Sequence, residues 1–283
     1  MTNLYGVIGI SRQVEFQQRK RDKEMEVVMS KLVFACELIR LDHPVIGVRK
    51  MYKMLKPDAV GRDRFESYML SYGFRVNYKP KYIKTTTSLR YSKHKNLLKG
   101  HVVKGINRVW VSDITYFIVL KKVYYIVFIK DVYSRMILGY EVSENMQAET
   151  ILKALEMAFN NREVGKYNYT LIHHSDKGSQ YLSKVYELAL KKREVLQSVS
   201  NVVYENPYAE VINRIIKKEY LENWITTNLR SMRKNLKRAV INFNEKRPHG
   251  SLQEMTPLEY EKSLLDLPLP SRKEMTFYTE ESS

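Results

Sequence analysis

The chain has 283 residues and a formal net charge of +17, from 48 Lys and Arg against 31 Asp and Glu. Cys36 is the only cysteine, which excludes an intrachain disulfide framework and any cysteine-rich zinc module. The longest strongly apolar run, Val123 to Ile129, is seven residues, far short of a bilayer span, and no signal-peptide layout opens the chain. The expectation is a soluble cytoplasmic protein with a polyanionic partner and nucleic acid as the default.

The N-terminal third carries most of the charge. Residues 1–100 hold 21 basic against 9 acidic residues, a net of +12, and the remainder is nearly balanced at +5. Residues 14–40 have helical periodicity, with Met25, Val28, Met29, Leu32, Val33, Cys36 and Ile39 recurring at three and four. Two shorter helices are predicted over 45–56 and 60–71, the second ended by Gly73. With Arg62 and Arg64 on the second, the pair suits a helix-turn-helix-like DNA-binding module. Ten basic residues and no acidic one lie between Glu66 and Asp113. Lys93 and Lys95 belong to this stretch, and Tyr78, Tyr82 and Tyr91 interleave it, a pattern that tracks phosphates and stacks bases. A solvated interdomain linker has the same composition.

The texture changes near residue 108. Residues 108–119, 122–129 and 136–142 read as three strands joined by short turns. A helix follows over 147–160, then strand 169–173, helix 185–192 and strand 195–198. After Pro207 the chain reads as helix to about Leu221 and again from Leu229 to Asn244. Three strands and then alternating helix and strand predict an α/β fold, a mixed five-stranded sheet flanked by helices. The predicted division is a helical, basic region over 1–100, a core over 101–265 and a flexible tail over 266–283.

Three carboxylates hold strategic positions in this core. Asp113 lies within the first strand, where a buried charge needs a cation or a strong partner. Asp176 follows the strand over 169–173 and precedes Gly178, at the strand end where open sheets place functional groups. Glu210 lies early in a helix that starts with Asn206 as N-cap and Pro207 as first residue. Three carboxylates without a cysteine cluster suit Mg²⁺ or Mn²⁺, and two such ions can serve phosphoryl transfer. Each carboxylate alone also has a structural reading: a lysine pair for Asp113, a turn for Asp176, the helix dipole for Glu210. His173 and His174 read as packing and hydrogen-bonding groups, Trp110 as core, and Asp131 as turn chemistry that pairs with Arg135. Lys217 and Arg214 share the Glu210 face of their helix and suit DNA phosphate.

At these residues the sequence resembles the DDE-type insertion-sequence transposases, second-frame product, with a retroviral-integrase-type core. Trp110-Val-Ser-Asp113-Ile-Thr-Tyr116 resembles the first-Asp motif, His174-Ser-Asp176-Lys-Gly178-Ser-Gln180-Tyr181 the second, and Glu205-Asn206 with Ala209-Glu210 the Glu motif. Lys217 stands at the family's basic position, and Lys246-Arg247-Pro248-His249 with Thr256-Pro257 resembles its C-terminal signature. The resemblance implies a ribonuclease H-like fold and catalytic, metal-binding roles for Asp113, Asp176 and Glu210 with two Mg²⁺ (or Mn²⁺) ions. It also implies cleavage and strand transfer of double-stranded element ends into target DNA by a homo-multimer. The segment from Ser198 to Tyr204 is shorter than the family's and contains no glycine. That departure leaves two rivals: a catalytically decayed DNA-binding protein on the same fold, and a nuclease that cuts RNA–DNA hybrids.

Overall fold

The computed structural model describes residues 12–76, 94–162, 169–200 and 206–277. The chain divides into two compact units, Met1–Asn77 and Tyr78–Ser283.

In the first unit, α1 (Arg12–Asp42), α2 (Val48–Leu55) and α3 (Arg62–Ser71) match the three predicted helices. Their apolar faces meet around Met29, Val33, Cys36, Met51, Phe65 and Met69. Gly73 follows α3 with φ +97°, the left-handed conformation that glycine adopts without a Cβ penalty. Arg40 fastens the unit by donating to the carbonyls of Pro44 (2.8 Å) and Phe74 (2.9 Å).

The second unit is built on a five-stranded sheet. Its strands are β2 (Val109–Val119), β3 (Lys122–Asp131), β4 (Ile137–Ser143), β5 (Ile172–Ser175) and β6 (Leu196–Val199), in the order β4-β3-β2-β5-β6. The first three run antiparallel as a meander, while β5 is parallel to β2 and β6 parallel to β5. This mixed sheet covered by helices is the ribonuclease H-like arrangement expected from the sequence. One layer of core lies under α4 (Ala148–Arg162) and α5 (Lys184–Lys192), around Trp110, Ile129, Leu155, Phe159 and Tyr186. The other lies under α6 (Pro207–Ile215) and α7 (Leu229–Glu245), around Phe128, Ile212, Ile216, Leu236 and Phe243. Strand β4 and helix α4 approach closely at Gly139, where an added Cβ would stand 1.9 Å from the Ala154 carbonyl oxygen.

Four expectations are corrected. The strand predicted at 169–173 begins at Ile172, because only from there does it pair with β2 and β6. The single helix predicted from Pro207 to about Leu221 is α-helical only to Ile215 and continues as a π-helical turn over Ile216–Tyr220. The wide turn keeps Ile216 and Tyr220 in the core while Glu219 reaches Arg247 with two bonds of 2.7 Å. The tail is not loose between residues 266 and 277. Its strand β7 (Met275–Thr276) pairs with β1 (Val102–Val103), and Phe277 is buried; residues 278–283 lie outside the described ones. Finally, residues 94–100 are not a free linker. Lys95 accepts from Val199 N (3.2 Å), the Leu97 amide donates to Ser198 Oγ (2.9 Å), and Gly100 N donates to Phe277 O (2.9 Å). This segment covers the β6 edge of the sheet, where unpaired backbone groups would otherwise face solvent.

Candidate active site

The parallel pairing of β2 and β5 sets Val111 opposite His174. Asp113 and Asp176 therefore each stand two residues beyond the last pair between these strands, Asp113 within β2 and Asp176 just past the end of β5. A side-chain bond ties the two motifs: Ser112 Oγ and Tyr181 OH lie 2.7 Å apart, both buried. Gly178 is needed for closeness rather than for an unusual turn. Its amide donates to Asp176 Oδ1 (2.9 Å), and a Cβ there would stand 3.0 Å from the same oxygen.

Glu210 arrives on α6, and here the sequence reading missed two residues. Asn206 occupies the N-cap position, but its side chain makes no capping bond. It donates instead to the Ser112 carbonyl (2.9 Å) and so fastens the start of α6 to the Asp113 strand. Asn213, one turn after Glu210, donates from Nδ2 to Asp113 Oδ2 (2.7 Å). Both asparagines are buried, and each keeps a side-chain oxygen without a hydrogen-bond partner. A signal existed in the sequence: two polar amides interrupt the buried face of an otherwise apolar helix.

The electrostatics follow from this convergence. Asp113 is pushed up to about 7, first by burial and then by the negative charges of Asp176 and Glu210. Asp176 is also raised, by burial, against the pull of the Gly178 amide. Glu210 itself is exposed. Lys217 is half-buried, and burial lowers its pKa against the opposing pull of Asp113. Its Nζ donates to Thr115 Oγ1 (2.7 Å) and sits 5.6 Å from the Tyr116 ring centre. The structure thus couples Asp113 electrostatically to Asp176, Glu210 and Lys217. Among the described residues, no three His, Cys, Asp or Glu side chains already lie close enough to share one ion.

The other candidate residues are placed differently. Arg214 is exposed on α6. Lys95 is exposed on the segment that covers β6, and Lys93 lies outside the described residues. In the helical unit, Arg62 and Arg64 are exposed, with Arg62 Nε 2.8 Å from Asp63 Oδ1. His173 is fully buried and pushed down to about 3 by burial, its ring bonded to Tyr186 OH (3.1 Å). His174 Nδ1 meets Ser198 Oγ at 2.8 Å, and Trp110 lies in the core. Asp131 is turn chemistry, accepting from Asn107 N (2.7 Å), Ser134 N (2.7 Å) and Ser134 Oγ (3.0 Å). Its expected pairing with Arg135 is corrected. With φ +65°, Arg135 turns away and donates to Val132 O and Met275 Sδ.

Comparison with known proteins decides the family. An integrase core domain is matched over residues 104–203, and a second integrase core domain description over 201–257. The transposase for insertion sequence element IS629 of Shigella sonnei is 30% identical over 227 residues, covering 78% of this chain and 75% of its own. The chain belongs to the insertion-sequence transposases. Within this family it has the DDE-type, integrase-core organisation. The putative transposase for IS986/IS6110 of Mycobacterium tuberculosis is 32% identical over 162 residues, 55% of this chain and 58% of that one. Among solved structures, the HTLV-2 integrase catalytic core domain in complex with magnesium is similar at 18% identity and TM-score 0.45. That match covers 59% of this chain and 99% of that one. The motif carrying Asp113 and Asp176 falls inside the first matched domain, and Glu210 with Lys217 inside the second.

Proposed function

We propose that this transposase cleaves and joins insertion-sequence DNA with Asp113, Asp176 and Glu210 as its catalytic, metal-binding residues. As a family member the chain is a polynucleotidyl-transferase-type DNA transposase. The observation that carries the site is geometric: Asp113 and Asp176 stand side by side beyond the β2–β5 pairing, and Asn213 of the Glu210 helix donates to Asp113 Oδ2 (2.7 Å). A buried carboxylate repelled by two others has an unmet demand for positive charge, and a divalent cation meets it.

The donor chemistry fits Mg²⁺ or Mn²⁺. All three groups offer hard carboxylate oxygen, and the two buried histidines are engaged with Tyr186 and Ser198. Two such ions, when bound, would supply charge stabilisation for the attacking and leaving oxygens of phosphoryl transfer. The chain's own contribution is orientation. Asn213 holds one Asp113 oxygen, the Gly178 amide holds one Asp176 oxygen, and Asn206 fixes the entry of the Glu210 helix. We assign Lys217, which lies beside Thr115 and over Tyr116, to a DNA phosphate entering the site. Glu210, free of burial, adjusts to close the set.

We further propose that double-stranded element ends and target DNA are held by the exposed cations Arg62, Arg64, Lys95 and Arg214 together with Lys93, and that the chain acts as a homo-multimer on DNA. No described helix is long and apolar enough to cross a membrane. The test is Mg²⁺-dependent nicking of an element-end duplex by Asp176→Asn, with DNA binding measured alongside. Abolished nicking with binding retained supports the assignment, and undiminished nicking overturns it.

A further inference from the structure

Lys130 is a buried cation that the chemistry above does not use. It lies near the end of β3, directly opposite Val111 of β2, and is 3% exposed. Burial pushes its ammonium down to about 7, with Arg135 and Arg247 adding to the effect and the charge of Asp131 opposing it. No carboxylate forms an ion pair with it among the described residues; its neighbour Asp131 spends its oxygens on Asn107 and Ser134. A lysine held this way costs more than a methionine of similar shape would. Such a group calls for a role that methionine cannot perform.

Its one side-chain hydrogen bond among the described residues supplies one. Lys130 Nζ donates to the carbonyl oxygen of Tyr208 at 3.1 Å, and sits 5.9 Å from the Tyr208 ring centre. Tyr208 is the second residue of α6, two before Glu210. The Tyr208 ring is itself held, with the Arg135 guanidinium 4.7 Å from its centre and Phe277 packed edge-on at 5.6 Å. So the first turn of the Glu210 helix is gripped from β3 and from the C-terminal segment. Asn206 grips the same turn from β2.

The geometry points to Lys130 as a positioning residue for Glu210: its bond to the Tyr208 carbonyl sets where the first turn of α6, and hence the Glu210 carboxylate, stands relative to Asp113. Either protonation state serves, since both ammonium and amine donate. The inference rests on the proposed role of Glu210 as a metal ligand. Its prediction separates stability from site assembly. Lys130→Met removes a buried charge while keeping length and volume, so the fold loses nothing or gains. The Glu210 helix loses its hold, so metal binding weakens.

The experiment is Mn²⁺ titration of the metal-free full chain, followed by the paramagnetic signal of bound Mn²⁺, on wild type, Glu210→Gln, Lys130→Met and Lys130→Arg. Melting temperature and amide hydrogen exchange of residues 207–213 are measured on each. The expected result for Lys130→Met is an unchanged or higher melting temperature, faster exchange in that turn, and half-saturation raised about tenfold, as for lost outer partners of metal ligands. Lys130→Arg, which keeps a donor, stays within about threefold of wild type on the same scale. Half-saturation of Lys130→Met equal to wild type overturns the inference. If Lys130→Met does not fold, Lys130→Arg decides, and a shift as large as that of Glu210→Gln overturns it. A wild type indistinguishable from Glu210→Gln would instead overturn the metal site itself.

Discussion

Substituting Asp113 by asparagine in the metal-free protein isolates the electrostatic strain of the site. Asp113 is held near 7 against an ordinary value of 3.8, so the folded chain takes up a proton that the unfolded chain releases. The sign follows: a raised carboxylate stabilises least where it is charged, so stability falls as pH rises from about 4 through 7. Between pH 5 and pH 8.5 roughly two of those units are crossed, and at 1.36 kcal/mol each this is about 2–3 kcal/mol. Asparagine keeps an acceptor for Asn213 Nδ2 and carries no charge. Urea unfolding in chelator at both pH values, for wild type and Asp113→Asn, reads the difference. The stability of the variant relative to wild type should rise by about 2–3 kcal/mol between pH 5 and pH 8.5. No rise between the two pH values would refute the reasoning, because it would mean that the charge is already compensated without metal.

Gly139→Ala forces a methyl onto the Ala154 carbonyl, so it should lower stability by at least about 3 kcal/mol or prevent folding, measured by denaturant melts. Arg247→Ala leaves Glu219 inside the fold without its two-bond partner and should cost about 3–5 kcal/mol in the same assay. Asn206→Ala strips the Ser112 carbonyl of its donor and frees the entry of α6; single-turnover nicking should fall about 10–100-fold with DNA affinity kept. Gly178→Ala crowds Asp176 Oδ1 and should raise the Mn²⁺ half-saturation in nicking assays about tenfold.

Much of this architecture was legible in the sequence because each signal was local. The β-branched and aromatic runs of β2 to β4, the spacing of α1 and the glycine after α3 each fix an element without reference to the rest. The motifs around Asp113 and Asp176 placed one carboxylate within a strand and one at a strand end for the same reason. What stayed hidden depends on distant partners. Asn206 reads as a cap from its neighbours, yet a buried carbonyl 94 positions earlier in the chain claims its amide. The π-helical turn after Ile215 answers to Arg247, whose demand for Glu219 no local pattern announces. The tail carries prolines and polar residues, yet Phe277 and Met275 fill a space beside β1 and Tyr208. The excess of basic charge pointed to a polyanion, and its concentration in the first hundred residues left the near-balanced remainder as the place for acidic chemistry.

The most direct test of the central claim is a crystal of the full chain with Mn²⁺ and an element-end duplex, read by anomalous scattering. The account predicts manganese peaks contacted by Asp113, Asp176 and Glu210, with Lys217 at a phosphate beside them. Peaks elsewhere, or Glu210 turned away from ions held by the two aspartates, would contradict it.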